Sequence, residues 1–103
     1  VPEAQSDAAR IFGERLRSAR QATGSSQEHV ADLAHIHVTN YGKIERGQAN
    51  PSLTTIVRIA GVLDIDPGDL VTGLKPAHLP HVEHDLTVAE FIRERTKKGA
   101  GRR

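Results

Sequence analysis

The chain of 103 residues contains no cysteine, no methionine and no tryptophan, and its only aromatic residues are two phenylalanines and one tyrosine. Without cysteine there is no disulfide framework and no thiolate-ligated zinc. No stretch approaches the ~18 consecutive apolar residues that a membrane-spanning helix needs. The opening VPEAQSDAAR lacks the hydrophobic centre of a secretory signal, so cytoplasmic residence is the default expectation. Strand-like alternation is almost absent too. What remains is 37% apolar residues, enough for one modest core of about 60 to 70 residues with tails left over.

Neither sign of charge dominates, and the formal net charge of +1 gives by itself no reason to expect a nucleic-acid partner. The distribution is more informative. Residues 93–103, RERTKKGAGRR, hold six basic side chains and one acidic, a local +5, while the other 92 residues carry eight basic and twelve acidic, a net of −4. Arg15, Arg17, Arg20, Lys43, Arg46 and Arg58 lie in the first two-thirds, and Asp64, Asp66 and Asp69 gather just beyond. Such polarity suits a protein with one DNA-facing side and one solvated side.

Apolar periodicity predicts an all-α domain over residues 8–74, preceded by a flexible N-terminus at 1–7. Ile11, Phe12, Leu16 and Ala19 form a helical stripe from about Ala8 to Ala22, ended by Gly24. Ser26 caps a second helix with Val30, Ala31 and Ala34 on one face. His35-Ile36-His37 interrupts the pattern, and a third period runs through Tyr41 and Ile44 to Gly47. Ser52 caps a fourth helix, whose Leu53, Ile56, Ile59, Ala60 and Leu63 read as a core stripe rather than a partner groove. Asp66-Pro67 starts a fifth, with Leu70 and Val71 facing inward.

Residues 75–86 form a Pro/His-rich linker. A capping box at Thr87 and Glu90, with a staple between Leu86 and Phe91, then opens a C-terminal helix over residues 87–98. Its Val88, Phe91 and Ile92 make an apolar face that either supports a dimer or folds back, with dimer contacts favoured because five helices already complete the domain. Gly99-Ala100-Gly101 breaks it, leaving a basic disordered tail at 99–103. His78, His81 and His84, with Glu83, invite a metal. Pro80 keeps them off one continuous helix and no cysteine helps, so an incidental solvated linker is favoured; no metal or cofactor is assigned.

Short helices joined by a three- or four-residue turn fit the two-helix unit that places its second helix in the major groove. GERLRSAR at 13–20, SQE at 26–28, KIERG at 43–47 and NPSL at 50–53, in this order and spacing, resemble the Cro/cI-type (XRE) family of helix-turn-helix regulators. The resemblance covers residues 11–74. It implies a five-helix lambda-repressor-like fold, a homodimer on a two-fold symmetric operator, and repression or activation of transcription. It also implies phosphate contacts from Gln27, Arg46 and Asn50, and an outward set Val38, Thr39, Asn40 and Lys43 on the DNA-reading helix. Independently of the family, Thr39 can offer its hydroxyl or methyl, Asn40 can pair with adenine, and Lys43 can reach guanine. Arg20 and Glu45 fall where the family has a partly buried structural ion pair.

The chain departs from the family pattern at several points. His35 stands where glycine is common, His37 where serine or threonine caps, and Gly42 inside the reading helix. Tyr41 is large for an inward position and Val38 occupies a place often held by glutamine or arginine. Double-stranded DNA is thus the expected partner, with no membrane. The alternative is a protein-binding adaptor, antitoxin or controller, docking through Val88–Ile92 or the acidic cluster. No phosphate-binding glycine loop, nucleophile motif or acid–base pair points to an enzyme.

Overall fold

The computed structural model describes residues 3–80 and 87–100. Among them are six α-helices and no strand: α1 (Asp7–Thr23), α2 (Gln27–Leu33), α3 (Val38–Glu45), α4 (Leu53–Leu63), α5 (Pro67–Val71) and α6 (Val88–Ala100). The starts are set by local chemistry. Ser6, Ser26, Ser52 and Asp66 each turn a side-chain oxygen onto a free backbone N–H of the first turn. Thr87 does the same for Glu90 at 3.2 Å, while Leu86 of the expected staple lies outside the described residues. Gly24, at φ 75°, closes α1 in the left-handed conformation.

A single buried cluster joins the first five helices. Phe12 and Leu16 of α1 meet Val30, Ala31 and Ala34 around α2, Tyr41 and Ile44 of α3, Ile59, Ala60 and Leu63 of α4, and Leu70 of α5. None of these helices is long enough to persist alone except α1, so this shared burial is what holds them. Helix α1 is the hub, packed on α3, α4 and α5, while α2 packs on α3 and α4.

Several expectations need correction. Leu53 and Val71 are exposed rather than core. At 100° per residue Leu53 is a quarter-turn off the line of Ile59 and Leu63, and Val71 cannot share the inward direction of its neighbour Leu70. Residues 3–7 are not a loose end: Gln5 N–H donates to Gly47 O at 2.7 Å, Ser6 caps, and α1 already begins at Asp7. Arg15, which the sequence offered only as one of several cations in the first two-thirds, caps α5, donating to Leu70 O at 3.3 Å and Thr72 O at 2.6 Å. Finally, Pro76–His78 forms a 3-10 turn inside the expected linker, and α6 continues through Gly99.

Candidate nucleic-acid interface

The turn between α2 and α3 is built from residues whose local preferences are modest. His35 adopts φ 58°, a left-handed conformation that histidine tolerates better than most non-glycine residues. That bend lets Ile36 N–H reach back to Ala31 O at 2.9 Å, which reverses the chain. His37 then caps α3 with a nitrogen instead of an oxygen: Nδ1 accepts from Thr39 N–H at 3.1 Å. An imidazole accepts there only in its neutral form.

Helix α3 is divided cleanly between two faces. Tyr41, Gly42, Ile44 and Glu45 are buried, whereas Thr39, Asn40 and Lys43 are exposed. Val38 differs from the outward set named with it: it is half-buried and packs against the core. The first residue of α3 therefore spends part of its surface on the fold.

The inner face is anchored by charge. Arg20 forks onto Glu45, Nε to Oε2 at 2.7 Å and Nη2 to Oε1 at 3.0 Å, and its Nη1 donates to Ser25 O at 2.9 Å. Two parallel N–H donors on one carboxylate are a strong and directional pairing. Gln27 Nε2 adds a third donor to Glu45 Oε1 at 3.0 Å. Its amide is thus turned onto Glu45, joining the start of α2 to the end of α3. Burial pushes the Glu45 carboxyl up, but the Arg20 guanidinium, then the neighbouring Tyr41 phenol and the Gln27 amide, outweigh it and hold the group below the usual carboxylate range. Arg20 is raised, first by its bond to Glu45.

Tyr41 lies beside this pair with no exposed surface, and its hydroxyl has no hydrogen-bond partner among the described residues. Burial, reinforced by the Glu45 carboxylate, drives the phenol far above its ordinary range, so it stays neutral.

One residue that positions this site was missed by sequence reasoning. Gly13 of α1 lies against the last turn of α3, where an added Cβ would come within 2.6 Å of Ile44 O and 2.7 Å of the Glu45 carbonyl carbon. The signals were its place at the head of GERLRSAR and a glycine inside a helical pattern, which costs about 1 kcal/mol and calls for a packing reason.

Around the exposed face the remaining polar groups form two shallow crevices. Arg17, Arg20, Gln27, Glu45 and Arg46 line one. Arg46 is exposed, donates from Nε to Gln48 Oε1 at 3.1 Å, and passes over Gly42, where a Cβ would stand 3.0 Å from its Nη1. The other crevice brings Asn40 and Lys43 of α3 together with Asn50, Ser52 and Thr55 at the start of α4. Donors and cations thus border the three exposed α3 side chains on both sides. No group of three or more His, Asp or Glu among the described residues could hold a metal ion; His78 Nδ1 accepts from Lys75 N–H at 3.0 Å, and His81, Glu83 and His84 lie outside them.

Two short helices across a tight turn, the second anchored behind and polar in front, define a helix-turn-helix protein. The chain belongs to the Helix-turn-helix family of the XRE (Cro/cI) type, whose profile matches residues 16–70. It is 36% identical over 76 residues to the SPbeta prophage-derived HTH-type transcriptional regulator YonR of Bacillus subtilis, a match covering 74% of this chain and 65% of that one. It therefore spans just under two-thirds of that relative's length. Control protein C.SmaI of Serratia marcescens is 35% identical over 71 residues, covering 67% of this chain and 84% of that protein. The crystal structure of the restriction-modification controller protein C.AhdI from Aeromonas hydrophila superposes with a TM-score of 0.59 at 45% identity, over 60% of this chain and 94% of that one. No helix among the described residues is long and apolar enough to cross a membrane.

Proposed function

We propose that the protein is a sequence-specific DNA-binding transcriptional regulator, acting as a homodimer on a palindromic operator. The observation that carries this is the division of α3: Glu45 and Tyr41 lock its back to α1, while Thr39, Asn40 and Lys43 stand free at its front. A helix held this way can enter the major groove without rearranging. Thr39, Asn40 and Lys43 would read base edges, with Val38 contributing its exposed part as an apolar contact. Arg46 and Asn50, and Gln27 through the Nε2 hydrogen not given to Glu45, would contact phosphates, setting register and most of the affinity. The unit built from α1 to α5 would bind DNA, with residues 75–86 a linker and α6 a dimerisation element. Two copies would place their α3 helices in successive major grooves about 34 Å apart. Regulation would follow from promoter occupancy in the cytoplasm, with no catalytic step. Relatives named as transcriptional regulators and control proteins support the same role.

The test is a titration of the purified protein on its own upstream DNA and on a scrambled duplex, repeated across salt concentrations. The expected preference is about 10³-fold or more for the upstream site. Lys43→Ala and Thr39→Ala should each cost about 1–3 kcal/mol on the preferred site and relax base preference. Arg46→Ala should weaken both duplexes alike and lower the salt slope by about 1. Equal binding to both duplexes, or folded Lys43→Ala and Thr39→Ala variants with unchanged preference, would overturn the assignment.

A further inference from the structure

Helices α4 and α6 each carry an apolar stripe that the described residues leave uncovered. On α4, Leu53 is 75% exposed and Val57 51%. One turn further, Gly61 faces solvent, and a Cβ added there would meet nothing within 4 Å. At 100° per residue, Leu53, Val57, Gly61 and the C-cap Asp64 fall within about 80° of one another. On α6, Val88, Phe91 and Ile92 are 74%, 49% and 55% exposed, and Arg95 shares their face with its guanidinium 5.8 Å from the Phe91 ring centre.

The two stripes match in register. Val57, Gly61 and Asp64 are separated by four and then three residues, and so are Val88, Ile92 and Arg95. Laid side by side in the same direction, Val57 meets Val88, Ile92 fills the gap over Gly61, and Arg95 reaches Asp64. Charge agrees with this direction. Arg93 and Arg95 of α6 come to lie where Asp64, Asp66 and Asp69 gather. The stripe also points away from the crevice shared with α3, since Thr55, which lines that crevice, is 200° around α4 from Val57.

We infer that α6 of one copy docks on the Leu53–Val57–Gly61 stripe of α4 in a second copy, and that the exchange is reciprocal. Both stripes are exposed within one chain, so α6 does not cover its own α4. A two-fold pair covers all four stripes at once. Helix α6 lies outside residues 16–70, so the exchange adds to the family fold without altering it. The inference rests on the homodimer proposed above and names the surface that builds it.

Sedimentation velocity of the full chain across a concentration series tests it. Val57→Glu and Ile92→Glu should each raise the dimer dissociation constant by about tenfold or more. Both positions are exposed, so circular-dichroism melting of the dilute variants should match the parent. An equimolar mixture of the two variants should regain dimer, because the intact α6 of the first meets the intact α4 of the second. Asp64→Asn, which keeps the left-handed cap, should weaken the dimer most at low salt. A dimer indifferent to Val57→Glu, or a mixture without recovery, would overturn this surface while leaving a homodimer in place. A monomer at every concentration would overturn both.

Discussion

Helix α3 has eight residues and α6 has thirteen, yet the shorter one is bolted to the rest of the protein. Helix α3 brings Tyr41 and Ile44 into the core and hands Glu45 to Arg20 and Gln27. Helix α6 has its own cap and a comparable apolar face, but Val88, Phe91 and Ile92 meet solvent. Length and amphipathicity therefore do not place a helix. What places α3 is a complementary surface on α1: a glycine where the backbones approach, and one arginine aimed at one carboxylate.

The contrast can be broken most forcefully at Glu45. Glu45→Ala strands the Arg20 charge near the core, and urea denaturation should register a loss of about 3 kcal/mol. Acid should erode the same interaction gradually. Glu45's carboxyl is held below its ordinary range in the fold, so in acid the unfolded chain binds the proton first. Its stabilisation is complete above the ordinary carboxylate value near ~4.3 and declines as pH falls from there through the lower folded value. Urea midpoints of the parent and of Glu45→Gln should therefore converge on acidification, and a constant gap would sink this account. Gly13→Ala pushes a methyl group into the last turn of α3 and should cost about 2 kcal/mol, displacing α3 and weakening DNA binding with it.

Smaller changes sharpen the comparison. Tyr41→Phe removes a hydroxyl that has no partner, so thermal unfolding should stay within about 1 kcal/mol of the parent, with any shift toward greater stability. A loss well beyond that would mean the hydroxyl does bond to the Arg20–Glu45 pair. At the other extreme, Phe91→Ala in dilute protein should change the stability of the five-helix unit by no more than about 0.5 kcal/mol. A cooperative loss there would show that α6 belongs to the core after all.

The starts of the helices were legible in the sequence because a cap acts on its own next turn. Ser26, Ser52, Asp66 and Thr87 bond where the spacing places them. The all-α class followed from periodicity, and the order of short signatures pointed to the family. Contacts between elements were not legible in the same way. Arg15 looks like any other basic residue in GERLRSAR until α5 presents its terminal carbonyls 55 to 57 residues away. Gly13 reads as a helix weakener until the backbone of α3 is beside it. Leu53 and Val71 carried the right chemistry for a core but the wrong angle, which periodicity resolves poorly at the ends of helices. In the candidate site, the exposed Thr39, Asn40 and Lys43 follow from helical phase alone, whereas Gln27's bond to Glu45 depends on a partner 18 residues away.

One consequence follows from the crossing of the N-terminal segment over Gly47. Gly47 sits at φ 75° directly beneath Arg10 and Ala4, and its carbonyl accepts from Gln5 N–H while Gln5 Nε2 donates to Gln48 O at 3.2 Å. The exit of α3 is thus latched by residues far upstream of it. A protease that nicks before Ser6, or an affinity tag that draws residues 4 and 5 away, acts on α3 from behind.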